Sequence, residues 1–409
     1  MRKSIKYCLT FILTAIICIV LLIVTALIPK ELVKSNMVKS SEEMYDISYI
    51  YFFNNQKNRA FLIHNYPDPI TFNLTYSLDS KKPVTSSILT KYYASKKFGE
   101  KVNVREKAYF DYKPNKEYYR YWHGNMFLVK TLMLVFDYKN ILIFLSVILI
   151  GFTLLIAYNL YRKNRLLALL FLISNLLCHV YVTFYCLEYI YMFLLSYIMS
   201  LIAFKLIDKD ESKVICFFII GGVLANFFDF LTTETLVFTL PFFIIFNFSK
   251  KKDFKTSLVF FLKSLIAFLL GYSLMWILKW LILIIIYKQS PNDFLNTHIE
   301  ERGFSLVAVE KEPFDSIYDN LKLIVPFCYL NNNLVILIII CYIIWLIIKK
   351  KINNKDVILL LISIIPILRY FVLYKHSIDH TFFTYRALLP SIMIWIYMFF
   401  RKDDKYEKD

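Results

Sequence analysis

About ten long, continuous apolar runs divide this chain of 409 residues, and no other feature restricts its folding as strongly. Inside a lipid bilayer every backbone N–H and C=O must find its partner within the protein, which leaves helices and closed barrels. The runs are unbroken rather than alternating, which excludes a barrel. With 58% hydrophobic residues and seven glycines, the predicted fold is an all-α polytopic membrane protein of about ten transmembrane helices. The first run, 7–28, follows Arg2, Lys3 and Lys6. It is longer than a signal-peptide core and no small-x-small site precedes Pro29, so it reads as a retained helix.

The net charge of +17 raises the question of nucleic acid, and its distribution answers it. The excess gathers in short clusters between apolar runs: 162–165 (RKNR), 250–252 (KKK), 349–351 (KKK) and the tail from Arg401. Such clusters mark cytoplasmic helix ends, so the expected partner is a membrane and not a nucleic acid. The seven cysteines lie in or beside apolar segments without a CxxC or zinc spacing. They read as small apolar side chains.

Helices are expected near 7–28, 140–161, 166–183, 187–206, 214–228, 235–248, 257–287, 333–348, 357–373 and 386–400. This places both termini in the cytoplasm of a plasma-membrane protein. The stretch 166–206 is too long for one span, so a tight outer turn is expected at 183–188. The run 257–287 is kept as one tilted helix, because splitting it would put 349–351 outside. The domains are then a first helix (1–29), an extracytoplasmic region (30–139), a multi-helix membrane domain (140–400) with an outer loop at 288–332, and a cytoplasmic tail (401–409). Region 30–139 carries 18 Lys/Arg against 11 Asp/Glu, which long translocated loops tolerate.

The outer side of this ladder collects the chemically versatile groups, including His64, His123, His298, His376 and His380. In YYRYWHG (118–124), aromatic rings and Arg120 make a good interfacial anchor. The same spacing brings Arg120 and His123 to one helix face as a cation pair suited to a phosphate, with Tyr119, Tyr121 and Trp122 as sugar-stacking rings. In HNYPDPITFN (64–73), Pro67 and Pro69 restrict the backbone around Asp68, which caps the segment from Ile70 or stands as a rigid carboxylate. In FFDFLTTETLVFTLP, Asp229 and Glu234 lie where two apolar helices meet. They read as a polar turn with Thr232 as the next helix's cap, or as part of a substrate path. In KHSIDHTFFTYR, His376 and His380 stand four apart beside Lys375, Asp379 and Arg386. No third ligand stands nearby except Asp379, so the stretch reads as a polar outer loop with a snorkelling Lys375, or as a basic phosphate or sugar pocket, rather than as a zinc site.

The order of these motifs, with Asn-Tyr-x-Asp first and Thr-Tyr-Arg last, resembles a group of polytopic bacterial membrane proteins of uncharacterised function. Those have Thr where this chain has Pro67. The layout is in turn similar to type C glycosyltransferases, which use polyprenyl-phosphate sugars on the outer face and carry an essential acid in a large first outer loop. The resemblance implies a sugar transferred from a polyprenyl-phosphate lipid to a saccharide or lipid acceptor, with Asp68 as catalytic base. Glu42, Glu43 and Asp46, nearer the first helix, are rivals for that role. It further implies Arg120, Trp122, His123, Asp229, Glu234, His376, His380 and Arg386 as substrate-binding residues, with no cofactor or metal predicted.

Transfer of this kind needs one base for the acceptor hydroxyl and cations for the departing phosphate. No glycine-rich phosphate loop points to a nucleotide-using enzyme. Two other classes compete: a flippase or export component for lipid-linked saccharides, and a non-catalytic assembly subunit. A flippase would be built from broken helices in paired repeats; Gly221–Gly222 is the only glycine pair and no repeat is visible.

Overall fold

The computed structural model describes residues 2–46, 50–51, 60, 62–63, 65–229, 231–250, 253–293, 313–324, 352–401 and scattered positions between 330 and 345. Helices dominate it, and the only strands among these residues form two short antiparallel ribbons. Six helices are long and apolar enough to cross a membrane: Lys3–Leu27, Tyr138–Lys163, Leu187–Leu206, Glu211–Phe228, Phe254–Ile286 and Thr381–Phe400. Shorter apolar helices run over Arg165–Leu177 and Leu236–Asn247. The protein is an all-α membrane protein. Much of the expected span at 333–348 and of the 288–332 loop, the tail 402–409, His64 and His298 lie outside the described residues.

Two runs answer questions the sequence left open. The long run after Asp253 is a single continuous helix, Phe254–Ile286. The run after Asn164 ends early: its helix stops at Leu177, because His179 adopts a left-handed backbone (φ 51°) that a helix cannot continue through. A 3-10 turn, Val180–Tyr185, follows. The turn expected at 183–188 thus starts at Cys178–His179.

Region 30–139 is a folded cap of short helices. After α1 (Arg2–Leu27) come α2 (Lys30–Asp46), α3 (Pro67–Tyr76), α4 (Pro83–Ile88), α5 (Glu100–Phe110) and α6 (Asn125–Leu132). Ribbon β1 (Ile50–Tyr51) pairs with β2 (Leu62–Ile63), and β3 (Lys91–Tyr92) with β4 (Lys116–Glu117). The cap holds the first amides of α7 (Tyr138–Lys163), which a helix leaves without internal partners. Tyr138 N donates to Ser40 Oγ (2.9 Å), Lys139 N to Glu43 Oε2 (3.0 Å) and Asn140 N to Asp137 Oδ1 (3.0 Å). Glu43 is thereby spent as a cap, and Glu42 accepts from the Tyr109 hydroxyl; the side chain of Asp46 lies outside the described residues.

The remaining helices follow as α8 (Arg165–Leu177), α9 (Leu187–Leu206), α10 (Glu211–Phe228), α11 (Leu236–Asn247), α12 (Phe254–Leu281, extended by a π turn Ile282–Ile286), α13 (Pro313–Leu321), α14 (Asn354–Val372), α15 (Tyr374–Asp379), α16 (Thr381–Thr384) and α17 (Leu389–Phe400). α10 and α12 pack backbone to backbone. A Cβ on Gly222 would fall 2.1 Å from the Phe268 carbonyl oxygen, and one on Gly271 2.4 Å from that of Ile219. The glycine pair therefore serves close helix packing, and α10 runs through it unbroken.

Candidate functional site

Asp68 occupies the first turn of α3, where helical N–H groups need no partner, so Pro67 and Pro69 both fit without losing a bond. The helix thus begins at Pro67, not at Ile70, and Asp68 caps a different one. Its Oδ2 accepts from the Tyr138 hydroxyl (2.8 Å) and Leu187 N (3.0 Å), its Oδ1 from Glu188 N (3.2 Å), and Cys186 Sγ stands 3.9 Å from Oδ1. A buried carboxylate at the start of α3 therefore closes the N-terminus of α9 and ties it to the start of α7. Burial pushes its pKa up to about 6 against these hydrogen bonds.

YYRYWHG is fixed from three sides. Trp122 Nε1 donates to the Met275 carbonyl of α12 (3.0 Å), and the Lys279 ammonium, bonded to Ile88 O (2.8 Å), lies 5.0 Å from the Trp122 ring. Gly124 N donates to Phe227 O (2.8 Å), and a Cβ there would fall 2.6 Å from that same oxygen. His123 is buried with φ 57°, and its Nε2 lies 2.5 Å from Tyr118 O. Burial, then Lys279 and Arg120 against that bond, push its pKa down to about 3. The imidazole is neutral at physiological pH, so the expected cation pair reduces to Arg120, half-buried over the rings of Tyr118 and Tyr121.

Two motifs distant in sequence meet in one cluster. Arg369 of α14 donates from Nε to Glu234 Oε1 (2.8 Å), from Nη1 to Ser377 Oγ (2.7 Å) and from Nη2 to Leu231 O. His376 Nε2 lies 2.8 Å from the same Leu231 oxygen, and its ring stands 4.5 Å from that of His380. The Asp229 carboxylate shapes the turn: its Oδ1 accepts from Thr232 N (2.9 Å) and Thr232 Oγ1 (2.7 Å). Thr232 is therefore held by Asp229 and does not cap α11. Asp229, Glu234, Arg369 and His376 are all buried. Among the described residues, Asp229 Oδ2, Glu234 Oε2, Thr233 Oγ1, Thr235 Oγ1 and both amide atoms of Asn226 have no hydrogen-bond partner. Burial, and then the Glu234 charge, raise the Asp229 pKa well above the ordinary carboxylate range.

Arg386 stands apart from that cluster. Its guanidinium is buried and donates to three backbone carbonyls, those of His179 (3.3 Å), Phe382 (2.6 Å) and Ala60 (3.2 Å). The rings of Tyr385 and Tyr189 lie 4.8 Å and 5.2 Å from it. It locks the left-handed turn at His179, whose Nδ1 lies 2.9 Å from the Tyr385 hydroxyl.

Comparison with family models, curated proteins and solved structures finds no match. The site must be judged on its geometry. The structure unites Asp229 and Glu234 with His376 and His380, and keeps Asp68, YYRYWHG and Arg386 in neighbouring but separately bonded positions. No group of three metal-ligating side chains occurs among the described residues. The residue missed in the sequence is Arg369, the centre of the cluster. A lone arginine inside the apolar run 357–373 was the available signal, since intramembrane charges mark function or a buried partner.

Proposed function

We propose that the protein is a membrane glycosyltransferase-like enzyme, transferring a sugar from a polyprenyl-phosphate donor to a saccharide or lipid acceptor on the outer face. Asp229 replaces Asp68 as its base. The observation that carries this is the state of the carboxylate oxygens. Both Asp68 oxygens already accept hydrogen bonds, whereas Asp229 Oδ2 and Glu234 Oε2, in one cluster, are each buried with acceptor capacity unspent. A carboxyl anchored by one oxygen, and made more basic than an ordinary carboxylate by burial, suits proton removal from an acceptor hydroxyl as it attacks the anomeric carbon. Arg369 pairs with Glu234 Oε1 and fixes the 229–235 turn through Leu231 O.

The topology that goes with this reading has ten spans in the plasma membrane, both termini cytoplasmic and region 30–139 outside. The cap contacts support its parity: Asp68 meets the starts of α7 and α9, while Lys279 near the end of α12 meets Ile88. A cysteine at exposed position 97, with Cys8, Cys328 and Cys341 replaced, is expected to react with an impermeant maleimide in intact cells. Labelling only after lysis would reverse the orientation.

A second reading, a proton-coupled carrier of lipid-linked saccharide, draws on the enclosure of the same cluster, where two buried carboxyls have one arginine, paired with Glu234. Asp229→Asn separates the two. With labelled polyprenyl-phosphate sugar in reconstituted vesicles, the transferase reading expects sugar transfer to fall by about a hundredfold or more. Donor crossing without any transfer by the unmodified protein, lost in the variant, would favour the carrier. Full transfer by the variant would remove Asp229 as base.

A further inference from the structure

At the end of the bundle opposite the cap, α1 and α12 both pack on α10 and leave a lateral cavity of about 420 Å³ between them. Lys3 and Tyr7 of α1, Glu211, Ser212, Ile215 and Ile219 of α10, and Lys263, Ile266, Ala267 and Leu270 of α12 line it. Its two halves differ in chemistry. The end nearest the start of α10 is polar and cationic: Lys263 Nζ pairs with Glu211 Oε1 (2.8 Å) and Lys6 Nζ donates to Ser212 Oγ (3.0 Å). Lys3 makes no ion pair with a described residue, so the two ammonium groups that line the cavity, with Lys6 beside them on Ser212, face one lining carboxylate. The rest of the cavity is aliphatic. It follows Ile215 to Ile219 and Ile266 to Leu270 toward the middle of the membrane, a depth of about 10 Å from the lysines at 1.5 Å rise per residue.

We propose that this cavity is a binding site for one anionic glycerophospholipid of the leaflet at this end, with its phosphate on Lys3, Lys6 and Lys263 and the upper part of one acyl chain against the isoleucines. Snorkelling lysines reach outward to bulk headgroups around any membrane protein. Here they converge instead on one recess whose floor is α10, and basic recesses between membrane helices select acidic headgroups. The excess positive charge excludes a net-neutral headgroup as the preferred occupant. The aliphatic floor commits the site to a lipid and not to a soluble anion.

The test uses the full chain in detergent, with dioleoylphosphatidylglycerol and dioleoylphosphatidylcholine as competing probes, read by native mass spectrometry. The unmodified protein is expected to retain one phosphatidylglycerol in preference to phosphatidylcholine. Lys3→Gln/Lys263→Gln is expected to lower that preference by about tenfold, given the contribution of each basic group near an anionic surface. Ile266→Trp, which narrows the cavity from its lipid-exposed wall and leaves every lysine in place, is expected to lower retention of the bound lipid with the melting temperature unchanged. Equal retention of the two lipids by the unmodified protein, or unaltered preference in both variants, would overturn the proposal. So would displacement of the lipid by inorganic phosphate alone, which would assign the site to a soluble anion.

Discussion

Asp68 and Asp229 are both buried aspartates at helix termini, and both have a pKa raised by burial. They differ in how much of each carboxylate the fold consumes. Asp68 divides its two oxygens among the Tyr138 hydroxyl and two amides of α9. Asp229 gives one oxygen to Thr232 and keeps the other, as Glu234 of the same cluster keeps its Oε2. A rigid, buried carboxylate is therefore not in itself a reactive one. What distinguishes a structural acid from a chemical one is acceptor capacity left over after the backbone has been satisfied.

The largest effect expected from breaking this contrast comes from Arg369. Arg369→Leu leaves Glu234 buried without its partner, which should cost about 3–5 kcal/mol. It also releases Leu231 O and Ser377 Oγ. Thermal unfolding in detergent measures the loss. Arg369→Leu/Glu234→Leu should recover most of it, because an apolar pair of similar volume removes the stranded charge. If the single variant is as stable as the parent, the cluster does not hold the 229–235 turn.

The next effect concerns pH. Asp68 moves from the ordinary 3.8 to about 6 on folding, so between those values the folded state binds more protons than the unfolded state. Stability then falls as pH rises. The contribution is complete below about pH 4 and gone above about pH 6, and amounts to at most about 3 kcal/mol. Asp68→Asn, whose amide does not titrate, should flatten this part of the stability curve. An unchanged slope in the variant would show that Asp68 is not the group responsible.

Much of this architecture could be read from the chain beforehand, and what could not has a physical cause. Long apolar runs fix helices because lipid leaves the backbone no other partner, so the runs at 187–206 and 257–287 appear within a few residues of their expected ends. The left-handed His179 could not be read, since it depends on Tyr385 and Arg386, some two hundred residues later. The motif at 229–235 was legible as unusual polar chemistry. Its partner was not, because pairing with Arg369 is a tertiary event between helices far apart in sequence. Asp68 misled for the same reason: two flanking prolines advertise local rigidity, while its hydrogen bonds go to residues about seventy and one hundred and twenty positions away.

A smaller effect is expected where the cap grips the bundle. Gly124→Ala drives a methyl toward the Phe227 carbonyl and ring, which requires a backbone shift costing about 1–3 kcal/mol. Because Phe227 lies two residues before Asp229, this variant also asks whether the anchor and the carboxylate cluster are mechanically joined. Loss of transfer out of proportion to the fall in melting temperature would join them. A fall in both together would confine YYRYWHG to holding the helix end.

The smallest stability change should come from Asp229→Asn, and that small change is what sharpens the contrast with Asp68. The asparagine carbonyl can still accept from Thr232 N and Thr232 Oγ1, as asparagine does in turns of this kind. Its amide replaces an oxygen that bonds nothing among the described residues. The melting temperature should therefore shift by no more than corresponds to about 0.5 kcal/mol, the range of substitutions that disturb no packing or paired group. Asp68→Asn places an amide against two backbone N–H donors and should cost about 1–3 kcal/mol at neutral pH, less whatever relief of charge burial offsets. Measured side by side above pH 6, an Asp229 variant as destabilised as the Asp68 variant would mean that both aspartates are structural. A stable Asp229 variant without transfer would place the chemistry at the 229–235 turn.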